Sequence, residues 1–337
     1  MDRRYSPSQF HEMTYSATMP RLAFRGQEIG EWREQLDIAF HQVLGWQADK
    51  RRGPLNVEIL EEEATSTYVR RKLVFESEPD SDVPCHLLVP NGVSECRPAF
   101  VCLQGHTTGM HISLGQAVGP RDQAWIDEEQ DFAVQAARQG YIALAIEQRS
   151  FGLREERLQR MRSANGCEDA AMHALLLGRT LAAERAWDVS RAIDLLETIP
   201  GVDRGRIGCV GNSGGGSATY YSACVDKRIS LALPSCSVCT YADSIFRIHH
   251  CSCNYLPGIL KVAEMGDLAG LIAPRKLIVV AGDEDDIFPI DGVRKAYAAA
   301  ERIYAAAGAS DHIRLIVGNG GHRFFAEPAW AAVRELL

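Results

Sequence analysis

"RIGCVGNSGGGSATYYSA", residues 206–223, joins two kinds of pattern. Arg206 to Val210 reads as a short apolar strand. Gly211-Asn212-Ser213-Gly214-Gly215 interrupts it, and small residues that a helix tolerates follow. A serine set among glycines on so abrupt a strand-to-helix turn has a physical reading. The turn is strained, and the residues two positions to either side, Gly211 and Gly215, must lack side chains or collide. The first N–H groups of the following helix then face the serine, which makes the N–H of Gly214 a donor for an anion. Glycine–serine strings also occur in ordinary loops. The position after a buried strand and before a helix is what favours a nucleophile at Ser213.

On either side of this stretch, further short apolar runs read as strands: "AFVCLQ" (99–104), "YIALAIEQ" (141–148), "ISLALP" (229–234), "KLIVVAG" (276–282) and "HIRLIVG" (312–318). Between them lie helical patterns. "DQAWIDEEQDFAVQAARQG" (122–140) reads as one helix with Gly140 just past its end. "RAWDVSRAIDLLETIP" (185–200) puts Val189, Ala192, Ile193 and Leu196 on one face, and Pro200 stops it. Apolar strands alternating with amphipathic helices predict an α/β fold: a mostly parallel central sheet with helices on both faces. Before it, "EWREQLDIAFHQVLG" (31–45) places Trp32, Leu36, Phe40 and Val43 on one helical face, within a helical N-terminal extension over residues 1–70. "RKLVFES" (71–77) and "VPCHLLVP" (83–90) alternate like strands and open a domain over 71–337. Residues 150–180 are polar and irregular, then helical, and read as a lid or insertion over the sheet.

A serine hydroxyl is a poor nucleophile until a base takes its proton. In a parallel sheet such partners gather at the carboxyl ends of strands. "KLIVVAGDEDDIFPI" (276–290) ends a strand in Asp283, Glu284, Asp285 and Asp286; "HIRLIVGNGGHRFF" (312–325) ends one in a glycine-rich loop and His322. Of the ten histidines, His322 alone follows the last sheet strand on such a loop. The chain order is then serine, carboxylate, histidine. The second oxyanion donor is expected from the loop after "AFVCLQ", Gln104-Gly105-His106-Thr107-Thr108-Gly109, as the backbone N–H of His106. The side chains of His106 and His111 read as pocket lining.

These residues carry a family resemblance. The chain resembles the α/β-hydrolase superfamily and, more narrowly, the group of acetyl xylan esterase, cephalosporin-C deacetylase and dienelactone hydrolase-like proteins. The similar parts are the "QGH" loop, where that group more often shows His-Gly, "EQRSFG" (147–152), residues 187–216 around the elbow, residues 249–290, and "GGHRFF" (320–325). The resemblance covers about residues 70–337 and implies the α/β-hydrolase fold. It also implies a serine esterase for small-acyl, acetyl-type esters, with a small-molecule ester as partner and no cofactor. In the resembled group the acid turn reads glycine, two variable residues, aspartate, then proline four residues on. Gly282, Asp285 and Pro289 fit, which marks Asp285 as the acid. A lactone or C–C bond hydrolase of the dienelactone hydrolase type stays open. So does a peptidase, against which the missing propeller domain argues. Outside enzymes, the alternative is a metal-binding or partner protein on the same fold.

Composition narrows the field. A formal net charge of −8 argues against a nucleic-acid backbone as partner. No apolar run of ~18 residues marks a membrane span. "MDRRYSPSQFHEMTYSATMP" lacks the apolar core of a secretory signal, so the expected location is cytoplasmic. Homo-oligomerisation stays open. Ten cysteines are many. Cys102 and Cys209 sit in strands as small hydrophobes. Cys236, Cys239, His249, His250, Cys251 and Cys253 raise the thought of zinc, but their interval is not a zinc-finger spacing. They are read as buried thiols, and no metal is expected.

Overall fold

The structure, a computed structural model, describes residues 5–47, 52–92, 95–156 and 166–337. Among these residues nine strands form one sheet: β1 (Glu58–Ala64), β2 (Tyr68–Glu78), β3 (Ser81–Pro90), β4 (Arg97–Leu103), β5 (Ile142–Ile146), β6 (Val202–Asn212), β7 (Ile229–Ser235), β8 (Lys276–Gly282) and β9 (Ile313–Gly318). Their order is β1-β2-β3-β5-β4-β6-β7-β8-β9. The first three join antiparallel, and every pairing from β5 through β4 to β9 is parallel.

Period-two alternation sorts the parallel strands' side chains onto two faces, and both faces are buried. Val101, Leu103, Leu144, Cys209, Leu277 and Val279 belong to one core cluster. Phe100, Cys102, Ala143, Val210, Leu231 and Val280 belong to another. The first face is covered by α2 (Ile29–Leu44), α6 (Leu181–Leu196), α7 (Gly214–Val225) and α8 (Ile290–Ala306). The second is covered by α4 (Phe132–Arg138) and α9 (Ala326–Leu336). The runs read as strands from sequence are strands, and the expected α/β-hydrolase sheet with helices on both faces is present.

Two expectations need correction. Residues 122–140 form two helices, α3 (Asp122–Asp127) and α4, not one. Glu129 turns left-handed (φ 64°), and the Gln130 N–H closes back on the Trp125 carbonyl at 3.2 Å. The chain restarts at Asp131 so that Phe132, Ala133, Ala136 and Ala137 are buried. Among the described residues, the stretch 1–70 is helical only in α1 (Pro7–Ala17) and α2; from Glu58 it enters the sheet. β1 is exposed along its whole length, and Glu61, Glu62 and Glu63 pair with Lys72, Arg71 and Arg70 of β2. Charge on an outer strand discourages edge-to-edge pairing. Of the expected lid over 150–180, residues 157–165 lie outside the described residues, and α5 (Gly166–Leu176) follows them.

Candidate active site

Ser213 follows β6 and precedes α7, with φ 55° and ψ −120°. A side chain in that region is strained, and such strain persists only where its surroundings enforce it. The Ser213 N–H donates to the Ser235 carbonyl at 2.9 Å, which continues the β6–β7 ladder into the turn. The flanking glycines have a steric reason. A Cβ on Gly215 would strike the Leu103 carbonyl and come 2.5 Å from that of Gln104; one on Gly211 would come 2.5 Å from the Gly215 carbonyl. The loop after β4 runs directly over the elbow. A Cβ on Gly105 would lie 3.0 Å from the Asn212 oxygen and 3.3 Å from the Ser213 Cβ. One on Gly214 would lie 2.7 Å from the His106 ring. Gly214 is the first residue of α7, so its N–H has no acceptor within the helix.

Asp285 lies just past β8 and His322 just past β9. Asp285 Oδ2 and His322 Nδ1 are 2.8 Å apart, and Asp285 is only 4% exposed. The other carboxylate oxygen accepts from the N–H groups of Ile287 and Phe288 at 2.9 and 3.0 Å. Burial pushes this carboxyl up, but the bonds from His322 and the two N–H groups outweigh it and hold the group below the usual carboxylate range. Asp283, Glu284 and Asp286 are exposed. Asp283 accepts from the Gly320 N–H at 2.8 Å and so braces the histidine loop. Phe288 stacks on the His322 ring, with centroids 5.9 Å apart and planes within 15°. Cys236, left-handed at φ 45°, brings its sulfur within 4.8 Å of the Asp285 and His322 ligand atoms and donates to the Arg323 carbonyl. Cys236 is next to Ser235, the backbone partner of Ser213, so elbow and histidine loop share one end of the sheet.

Sequence reasoning missed Glu147 and Phe288. Glu147 is buried at the end of β5 and accepts from Gln104 Nε2 at 2.6 Å, the Met110 N–H at 3.1 Å and the Leu153 N–H at 3.4 Å. It thereby ties the His106 loop to the 147–154 turn. Burial raises its carboxyl to about 7, against the lowering effect of those bonds and of Arg154. The expected pocket-lining His111 instead bonds Asp122 at 2.9 Å, together with Thr108 and two backbone N–H groups. A groove of about 260 Å³ lies between α1 and residues 254–261, and none of Ser213, Asp285 or His322 lines it.

The cysteines group differently from their order in the chain. Cys236 sits with the Asp285–His322 pair, and Cys239 donates to the Pro289 carbonyl. His250 bonds the Ser244 hydroxyl at 2.9 Å. Cys251 and Cys253 instead meet His106 and Cys167.

A strained serine after a central parallel strand, with a histidine–carboxylate pair on the loops after the last two strands, defines the α/β-hydrolase class. The chain belongs to the Abhydrolase family, whose profile matches residues 8–230, a span that includes Ser213. It is 25% identical over 311 residues to "Putative hydrolase YtaP" of Bacillus subtilis (strain 168), covering 91% of this chain and 98% of that protein. Over 172 residues it is 28% identical to 4-O-methyl-glucuronoyl methylesterase 1 of Sodiomyces alcalophilus, covering 42% of this chain and 34% of the relative. The crystal structure of a "putative acetyl xylan esterase" from Bacteroides fragilis NCTC 9343 superposes with a TM-score of 0.82 at 17% identity, over 99% of this chain and 96% of that one. No helix among the described residues is long and apolar enough to cross a membrane.

Proposed function

We propose that this protein is a carboxylic ester hydrolase working through an acyl-serine on Ser213. The observation that carries the reading is the 2.8 Å bond between His322 Nδ1 and the buried Asp285, at the sheet end that also holds Ser213. A carboxylate held ionised can only accept, so Nδ1 carries the proton and Nε2 is the base. His322 takes the Ser213 proton as the oxygen attacks the ester carbonyl, then gives it to the leaving alcohol. Water repeats the sequence on the acyl-serine and releases the acid. Asp285 stabilises the imidazolium. The N–H groups of Gly214 and His106 take the oxyanion.

The substrate proposed is a small-acyl ester on a carbohydrate, an acetyl group first. The name of the Bacteroides fragilis structure supports it. The Sodiomyces relative favours a second reading, a methyl ester of a glucuronic acid. All ten cysteines are unbridged, which suits the cytoplasm. The test is turnover of p-nitrophenyl acetate, acetylated xylose and methyl glucuronate, with fluorophosphonate labelling read by mass spectrometry. Label on Ser213 and cleavage of one ester class are expected. Absence of both label and turnover would sink the proposal.

A further inference from the structure

His106, Cys167, Cys251 and Cys253 arrive from the loop after β4, the first turn of α5, and the segment after β7. Each offers one ligand atom, and the four atoms lie within 4.8 Å of one another. His106 Nε2 is 3.2 Å from Cys253 Sγ, which is 3.4 Å from Cys251 Sγ. Zn–S bonds of about 2.3 Å and Zn–N bonds of about 2.0 Å on a tetrahedron set ligands about 3.5–3.8 Å apart. The observed pairs are within a few tenths of an ångström of that, and far outside the ~2.05 Å of a disulfide.

A second observation concerns charge. Arg185 of α6 is 3% exposed. Its guanidinium donates to Cys167 Sγ at 3.1 Å and to the Arg149 carbonyl at 3.1 and 3.0 Å, and it lies 4.1 Å from the Phe151 ring centroid. Among the described residues its bonds run to that carbonyl and that sulfur and to no carboxylate. A buried cation without a counter-charge is costly. Three thiolates and a neutral imidazole around Zn²⁺ carry a net charge of −1, which is what Arg185 needs.

We propose that His106, Cys167, Cys251 and Cys253 bind one zinc ion as a closed structural site. Binding exchanges three thiol protons, released to solvent, for three Zn–S bonds, with no change of oxidation state. A full set of protein ligands leaves no position for water or substrate, so the ion positions rather than reacts. What it positions is the His106 loop. The Nδ1–Cε1 edge of the His106 ring lies over Gly214, 2.7 Å from where a Cβ there would stand, so the ion would fix that loop against the elbow. The site does not depend on the ester reading, since zinc content is measured without any substrate.

The test uses the full chain, purified under reducing conditions from zinc-supplemented cells. Elemental analysis should find about one zinc per chain, released by a mercurial thiol reagent. Exchange into cobalt(II) should give the intense visible bands of a tetrahedral thiolate site. Cys251→Ser and Cys167→Ser should fall below about 0.2 zinc per chain, while Cys239→Ser, a thiol outside the cluster, keeps its full equivalent. Should the serine variants fail to fold, the wild-type zinc count and cobalt spectrum decide. Wild-type protein with under about 0.1 zinc and no cobalt spectrum overturns the proposal. So does a Cys251–Cys253 disulfide found in that protein.

Discussion

Ser213 is held in a conformation that costs free energy and stands partly exposed at the end of a buried strand. Nothing in the core depends on that oxygen. Ser213→Ala should therefore fold normally and lose turnover on the order of 10³-fold or more, because the covalent route is gone. A variant retaining a tenth of wild-type activity, a loss of only about 1.4 kcal/mol of barrier stabilisation, would remove Ser213 as nucleophile. In the proposed mechanism the acid is the carboxylate that is shielded. Asp285 is buried, faces His322 and takes two N–H groups besides, whereas Asp283 and Asp286 are exposed and screened. Asp285→Asn should cost about 10²- to 10⁴-fold in kcat, and Asp286→Asn and Asp283→Asn less than about tenfold each. Asp283 is the more sensitive of those two because it braces the Gly320 N–H. Steady-state kinetics on all three variants decide the assignment.

The elements meet at contacts too close for any side chain, and this is where the elbow is tested as a structure. A Cβ on Gly215 would meet the Leu103 and Gln104 carbonyls of the β4 end, and backbone cannot swing aside as a side chain can. Gly215→Ala should lose at least about 2–3 kcal/mol by urea unfolding, along with activity, as strain and overpacking combine. Glu147 joins the same loop to the 147–154 turn by a different device, and its effect depends on pH. Burial raises its carboxyl from the ordinary 4.5 to about 7, so the folded protein holds the proton more tightly than the unfolded chain. Glu147 therefore adds stability below about pH 4.5, lost as the pH rises through about 7, on the order of 3 kcal/mol in all. Glu147→Gln should flatten that slope. A thermal midpoint falling between pH 5 and 7 as steeply in the variant as in the wild type would show that another group carries it.

At the scale of the whole molecule, legibility follows distance along the chain. The strands were readable because a doubly buried parallel strand is a continuous apolar run, and "KLIVVAG" admits little else. The elbow was readable because its steric demands fall within five residues. The acidic cluster 283–286 and His322 were readable because topology puts both at strand ends, whereas the choice of Asp285 within the cluster rested on the resemblance of the turn Gly282–Pro289 to the family's. Glu147, Phe288 and Cys167 were not, since what they meet lies 34 to 84 positions away, Phe288 with His322, Glu147 with Met110 and Cys167 with Cys251, which no local pattern records. The split of residues 122–140 was hidden because Glu129 gives no sign of its left-handed turn. The N-terminal stretch shows the same limit. Its helical periodicity was plain, but not what the apolar face would cover. In the fold Trp32, Leu36 and Phe40 join the main core cluster, and the Trp32 indole donates to the Leu22 carbonyl at 2.8 Å. A Cβ on Gly270 would run into that ring, so glycine there makes room for it. By contrast, α1 has no buried residue. Two changes in one stretch should thus differ sharply. Deleting residues 1–19 should alter unfolding free energy by less than about 1 kcal/mol, whereas Trp32→Ala should cost about 3–5 kcal/mol within the same cooperative transition. If Trp32→Ala left urea unfolding of the sheet unchanged, or melted in a separate early phase, α2 would be a detachable cover and not part of the core that holds the site.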